Sequence, residues 1–200
     1  MRRIPCRIAE DNAMQLAYTP EANQLLDDNP FALLIGMLLD QQIPIEKAFT
    51  SPYDLQQRLG HDLDVREIAE YDPAALEQLF RTPPALHRFP AAMAKRVQAL
   101  AQVLVDRFDG DPAAVWNDAS DGTDLVQRVS TLPGFGDQKA RIFVALLGKQ
   151  FDVQPPGWRQ AAAPYADAES FRSVADVTDA ASLEKVRSYK KELKAQTAKR

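Results

Sequence analysis

Leu132-Pro133-Gly134-Phe135-Gly136-Asp137-Gln138-Lys139-Ala140 decides how the rest of this 200-residue chain is read. A short polar helix, about Thr123 to Ser130, runs into a turn with glycine at two alternate positions, and an apolar helix starts at once. Glycines at 134 and 136 allow φ > 0 and let the backbone approach another molecule with no Cβ in the way. The free N–H groups of such a turn, with the first N–H groups of the next helix, form a concave donor cluster suited to a phosphate oxygen. The plainer reading is an ordinary helix–helix turn, since Gly/Pro clusters are common punctuation.

Size and composition narrow the field. Two hundred residues suit one large domain or two small lobes with a real core. No apolar run approaches the roughly 20 residues that cross a bilayer. Met1-Arg2-Arg3-Ile4-Pro5 lacks the apolar stretch of a signal peptide, so a cytoplasmic protein is expected. The one cysteine, Cys6, excludes an internal disulfide and a four-cysteine iron–sulfur cluster, and points to a reducing compartment. With only His61 and His87, a zinc site is not expected. The net charge of −4 counts mildly against nucleic acid, but distribution matters more than the sum. Acidic residues crowd 62–77 and 106–124. Basic ones gather at Arg81, Arg88, Lys95 and Arg96, at Lys139, Arg141, Lys149 and Arg159, and along 185–200.

The chain reads as nearly all helix. Thr19-Pro20, Asn29-Pro30, Ser51-Pro52, Asp72-Pro73 and Asp111-Pro112 each set a capping side chain before a proline suited to the first helical position. Asp64 with Glu67 adds a capping-box-like start. Residues 91–108 place Met93, Val97, Leu100, Ala101, Leu104, Val105 and Phe108 on one stripe, and 139–147 repeat the pattern. Period-2 alternation is absent; the first dozen residues suit at best a short extended arm. A looser stretch is expected over 154–179, then a helix of about 180–198 that docks on the body and ends in a basic tip.

A second segment, Leu33-Leu34-Ile35-Gly36-Met37-Leu38-Leu39-Asp40-Gln41-Gln42-Ile43-Pro44-Ile45-Glu46-Lys47-Ala48, ends an apolar helix in a glutamine pair. Read alone, the pair is either a helix end capped by solvent-facing amides or a polar probe at a turn. Together the two segments resemble the helix-hairpin-helix (HhH-GPD) superfamily of base-excision DNA glycosylases, the group of endonuclease III and the 3-methyladenine glycosylases. The resemblance covers about residues 25–165. It implies an all-α, two-lobed fold in one domain, 1–200, with the helix-hairpin-helix at about 123–147 and the lesion pocket between the lobes. It also implies double-stranded DNA as partner, bound by a monomer. Gln42, and with it Gln41, matches the residue that fills the gap left by a flipped nucleotide, where a polar amide can meet the orphan partner base. Gly134, Gly136, Lys139 and Arg159 complete the implied DNA contacts. Backbone carbonyls of Ser130, Leu132 and Phe135 match the family's monovalent-cation ligands; no other cofactor is implied.

At the catalytic positions the chain departs from the family. The nucleophilic lysine of bifunctional members aligns with Gln138, and Lys139 is one residue on, turned by about 100° on a helix. No lyase activity is therefore expected. The carboxylate that steadies positive charge on the sugar in monofunctional members aligns with Gln154, within Val153-Gln154-Pro155-Pro156-Gly157-Trp158-Arg159. A neutral amide cannot offset that charge. Asp152, two residues upstream, is the nearest substitute, or else a plain loop acid. Trp158 is read as core rather than as a base-stacking platform. The expected function is a monofunctional DNA glycosylase that flips and hydrolyses a damaged base, an alkylated one being the first candidate. The alternative is a glycosylase-like protein that binds damaged DNA without cutting the glycosidic bond.

Overall fold

A computed structural model describes residues 15–168 and 170–197. The first dozen residues and Cys6 lie outside them. Among the described residues there are helices and no strand: α1 (Pro20–Asp28), α2 (Pro30–Leu39), α3 (Ile45–Leu59), α4 (Val65–Glu70), α5 (Pro73–Arg81), α6 (Pro90–Phe108), α7 (Ala114–Asn117), α8 (Gly122–Ser130), α9 (Asp137–Gln150), α10 (Trp158–Ala161) and α11 (Ala180–Thr197). No helix among them is long and apolar enough to cross a membrane.

Three of the five expected proline starts form as read. Thr19, Asn29 and Asp72 each accept backbone N–H bonds from the first turn of α1, α2 and α5, with Pro20, Pro30 and Pro73 opening the helix. Asp64 caps α4 through the Glu67 N–H at 2.9 Å.

Two starts do not form. Pro52 sits inside α3. The Ser51 hydroxyl, instead of capping, turns back to the Lys47 carbonyl at 2.7 Å and shares its proton with the Leu86 carbonyl at 2.8 Å. Burial of Ala48, Phe49 and Leu55 around it carries the helix through the proline. Asp111 closes a turn through the Ala113 N–H, and α7 begins only at Ala114.

The helices form two groups. In the first, α2 lies buried against α3, while α4 and α5 pack on α6. In the second, α8, α9 and α10 pack on one another. Phe143 of α9 anchors that second core, in edge contact with Trp116 and Phe135. The stretch 154–179 is better built than its composition suggests. It holds α10 and a short 3₁₀ turn over Val174–Asp176, where Asp176 is buried and ion-paired with Lys149. Trp158 is core, 6% exposed.

Candidate nucleic-acid interface

The turn between α8 and α9 divides its residues by side. Leu132 and Phe135 are buried, and Gly134 and Gly136 are exposed. Gly134 has φ +84°, and a Cβ there would stand 3.2 Å from the Leu38 side chain. Gly136 has φ −85° and serves as the N-cap of α9. The expectation of positive φ thus holds for Gly134 and fails for Gly136, because the N-cap position takes extended backbone. A Cβ at Gly136 would meet nothing within 4 Å.

With glycine as N-cap, no side chain caps α9. The first N–H groups of a helix have no partner within it, so this start presents donors at the positive end of a 14-residue helix. Asp137, in the first turn, pairs with Arg141 at 2.9 Å. Gln138 is exposed, its amide donating to the Tyr165 hydroxyl at 2.9 Å.

Lys139 points inward. Its ammonium donates to the carbonyls of Met37 and Leu38, each at 2.9 Å, at the C-terminal end of α2. A cation there meets the negative end of the helix dipole. Burial nonetheless lowers its pKa to about 8; Asp40 opposes that shift, while Arg96 and Lys190 add to it. The sequence reading sets Lys139 against DNA. The observed contact ties the hairpin to the glutamine turn about a hundred residues earlier in the chain.

That glutamine turn has one fixed and one presented amide. The Gln41 side chain donates to the Leu38 carbonyl at 2.9 Å and accepts from Arg96 at 3.1 Å. The Gln41 carbonyl accepts from His87 Nε2 at 2.9 Å. His87 Nδ1 accepts the Phe89 N–H, which sets the Nε2–H tautomer. Burial lowers the His87 pKa and so favours the neutral ring. Gln42, by contrast, is exposed with φ +59°. His87 and Arg96 escape sequence reasoning as supports of this turn, since nothing local marks them.

The loop after α9 carries the remaining expected residues. Phe151 ends the helix, Asp152 follows at φ +56°, and the Val153 N–H reaches back to the Leu147 carbonyl at 3.2 Å. The chain leaves the helix through a left-handed residue, a place where glycine usually sits. A carboxylate there also faces the negative end of the helix dipole. Gln154 donates to the Gly148 carbonyl at 2.8 Å. That explains the amide: a carboxylate could not donate to the oxygen.

Trp158 fixes the loop. A Cβ on Gly148 would lie 2.3 Å from its ring, so only glycine admits the indole. Arg159 stacks on that ring at 4.4 Å, donates to the Ala166 carbonyl, and stays exposed. A hollow of about 310 Å³, lined by Ile43, Pro44, Ile45, Arg187, Lys190 and Lys191, lies between the start of α3 and α11, and one of about 410 Å³, lined by Arg107, Phe108, Asp124, Gln127, Arg128 and Thr131, lies between α6 and α8. Asp152 lines neither.

The carbonyls of Ser130, Leu132 and Phe135 flank the end of α8. Leu132 O already accepts the Phe135 N–H at 3.0 Å and keeps a second lone pair. Such oxygens suit a hard monovalent cation, which would add positive charge beside the open start of α9.

A comparison with curated proteins gives no match. Residues 35–200 match the HhH-GPD superfamily base excision DNA repair protein family, spanning the glutamine turn, the hairpin and the loop after α9. The chain therefore belongs to the HhH-GPD superfamily of base excision DNA repair proteins.

Proposed function

We propose that this protein is a monofunctional DNA glycosylase acting on duplex DNA as a monomer. One observation carries the reading: Lys139 holds the open hairpin beside the glutamine turn, so two motifs far apart in sequence share one surface. The hairpin N–H groups take a phosphate, with the cation at 130–135 lending charge. Gln42 enters the gap as a nucleotide leaves the stack.

Departure of the base leaves a cationic sugar, and Asp152 supplies the opposing anion. Its position supports this role. Left-handed backbone and a carboxylate at a helix C-terminus are two local costs where glycine would have neither, and such costs cluster at functional sites. Bases already carrying positive charge leave most readily, so alkylated purines are the first substrates to try. Gln138 and the inward Lys139 supply no nucleophile for a lyase step.

Base release from a panel of alkylated, deaminated and oxidised duplexes tests the proposal. Asp152→Asn should cut release by about a hundredfold or more while DNA affinity stays. Full activity in Asp152→Asn refutes the assignment, and a borohydride-trapped adduct lost in Lys139→Ala refutes the monofunctional reading. The second reading, binding without cleavage, has its own observation: the Val153 N–H closing on the Leu147 carbonyl makes the left-handed turn at Asp152 part of the helix end. Wild type that binds every lesion and releases no base establishes it.

A further inference from the structure

The basic end of the chain has no part in the hairpin or the glutamine turn, yet the fold carries it there. On α11, Val186 is fully buried and Leu183 partly so, which sets the helix against the body. Arg187, Lys190 and Lys191, spaced i, i+3, i+4, fall on one face. With Ile43, Pro44 and Ile45 they line the 310 Å³ hollow, which begins one residue after Gln42.

Charges of both signs meet there, but at different depths. Arg187 pairs with Glu46 and Lys190 with Asp40. The two basic side chains are 49% and 39% exposed, while the two acids are 13% and 12% exposed. The acids hold the bases from beneath, and the outward charge is positive. The exposed acids of α11 are Glu184, 3.8 Å from Arg187, and Glu192. Lys191 is exposed and forms no ion pair among the described residues. A groove with an apolar floor, a basic rim and sunken acids complements a phosphate backbone, and it continues the surface that presents Gln42.

We propose that this face of α11 binds backbone phosphates of the duplex next to the flipped nucleotide, through Lys190 and Lys191. The helix thereby offsets the chain's net negative charge at the one edge where DNA must lie. The inference rests on the proposed DNA-binding reading and extends it to a segment outside both motifs.

The test is anisotropy of a labelled duplex bearing an abasic-site analogue, titrated with the full chain over a series of salt concentrations. Each lost phosphate contact lowers the slope of log K against log salt by about 0.9. Lys190→Gln/Lys191→Gln should therefore lower it by about 1.8, and Lys191→Gln alone by about 0.9, with thermal melting checking that both fold. An unchanged slope in folded Lys191→Gln and in the double variant, with wild type binding normally, overturns this inference and spares the DNA-binding reading. Wild type with no salt-dependent affinity for the duplex overturns both.

Discussion

The two ends of α9 are built in opposite ways. At its start, glycine is the N-cap, no side chain closes the turn, and the open position at Gly136 has nothing within 4 Å of a would-be Cβ. At its end, the Leu147 carbonyl accepts two backbone N–H groups, the Gly148 carbonyl takes the Gln154 amide, and Trp158 lies against Gly148. A helix needs partners at both ends for stability alone. Two carbonyls of that last turn have partners within the protein, while no side chain caps the donors of the first. On the proposed reading, the open end is the one that binds.

Changes at the two ends should therefore differ in kind. Gly148→Ala drives a methyl into the indole, and overpacking of this sort costs about 1–3 kcal/mol. Melting temperature should fall by roughly 2–4 °C for each of those kcal/mol. An unchanged melting curve would mean the loop is not anchored through Trp158.

Asp152→Gly is expected to act the other way. Relief of left-handed backbone strain should raise stability by about 1 kcal/mol, while base release is lost. Chemical denaturation and the lesion panel together separate the two effects. Lower stability would show that the carboxylate has a structural partner.

Lys139 gives a smaller, pH-dependent signal. The folded chain holds its proton less tightly than the unfolded chain, with a pKa of about 8 against the ordinary 10.5. Between those values the unfolded state carries more protons, so this residue's contribution to stability rises with pH across the window. A ¹³Cε titration should find one lysine with a midpoint near 8, absent in Lys139→Met. All lysines titrating together near 10.5 would place the amine in water.

How legible was this in the sequence? Helix starts were, where cap and proline work locally, as at Thr19, Asn29 and Asp72. Ser51-Pro52 misled because its hydroxyl is claimed by Leu86, 35 residues away, a partner no local pattern reveals. The all-α class and the family were legible in two short motifs. Within the site, side-chain destinations were not. Gln41 and Gln42 look alike in sequence, yet His87 and Arg96 commit the first to the fold and leave the second exposed. Lys139 looks like a surface cation on a helix start, and its carbonyl partners lie about a hundred residues upstream. Gln154 became intelligible only with the Gly148 carbonyl in view.

If the start of α9 grips DNA without reading it while Gln42 senses the gap, the two roles separate in the affinities of wild type, Gly136→Ala and Gln42→Ala for two duplexes, one undamaged and one with an abasic-site analogue. Gly136→Ala should fold with stability within about 0.5 kcal/mol of wild type, since its Cβ meets open space. It should weaken both duplexes by the same factor, because phosphate contacts position without specifying. Gln42→Ala should weaken the abasic duplex and leave the undamaged one nearly unchanged. Wild-type affinity in folded Gly136→Ala, or equal losses on both duplexes in Gln42→Ala, would contradict the account.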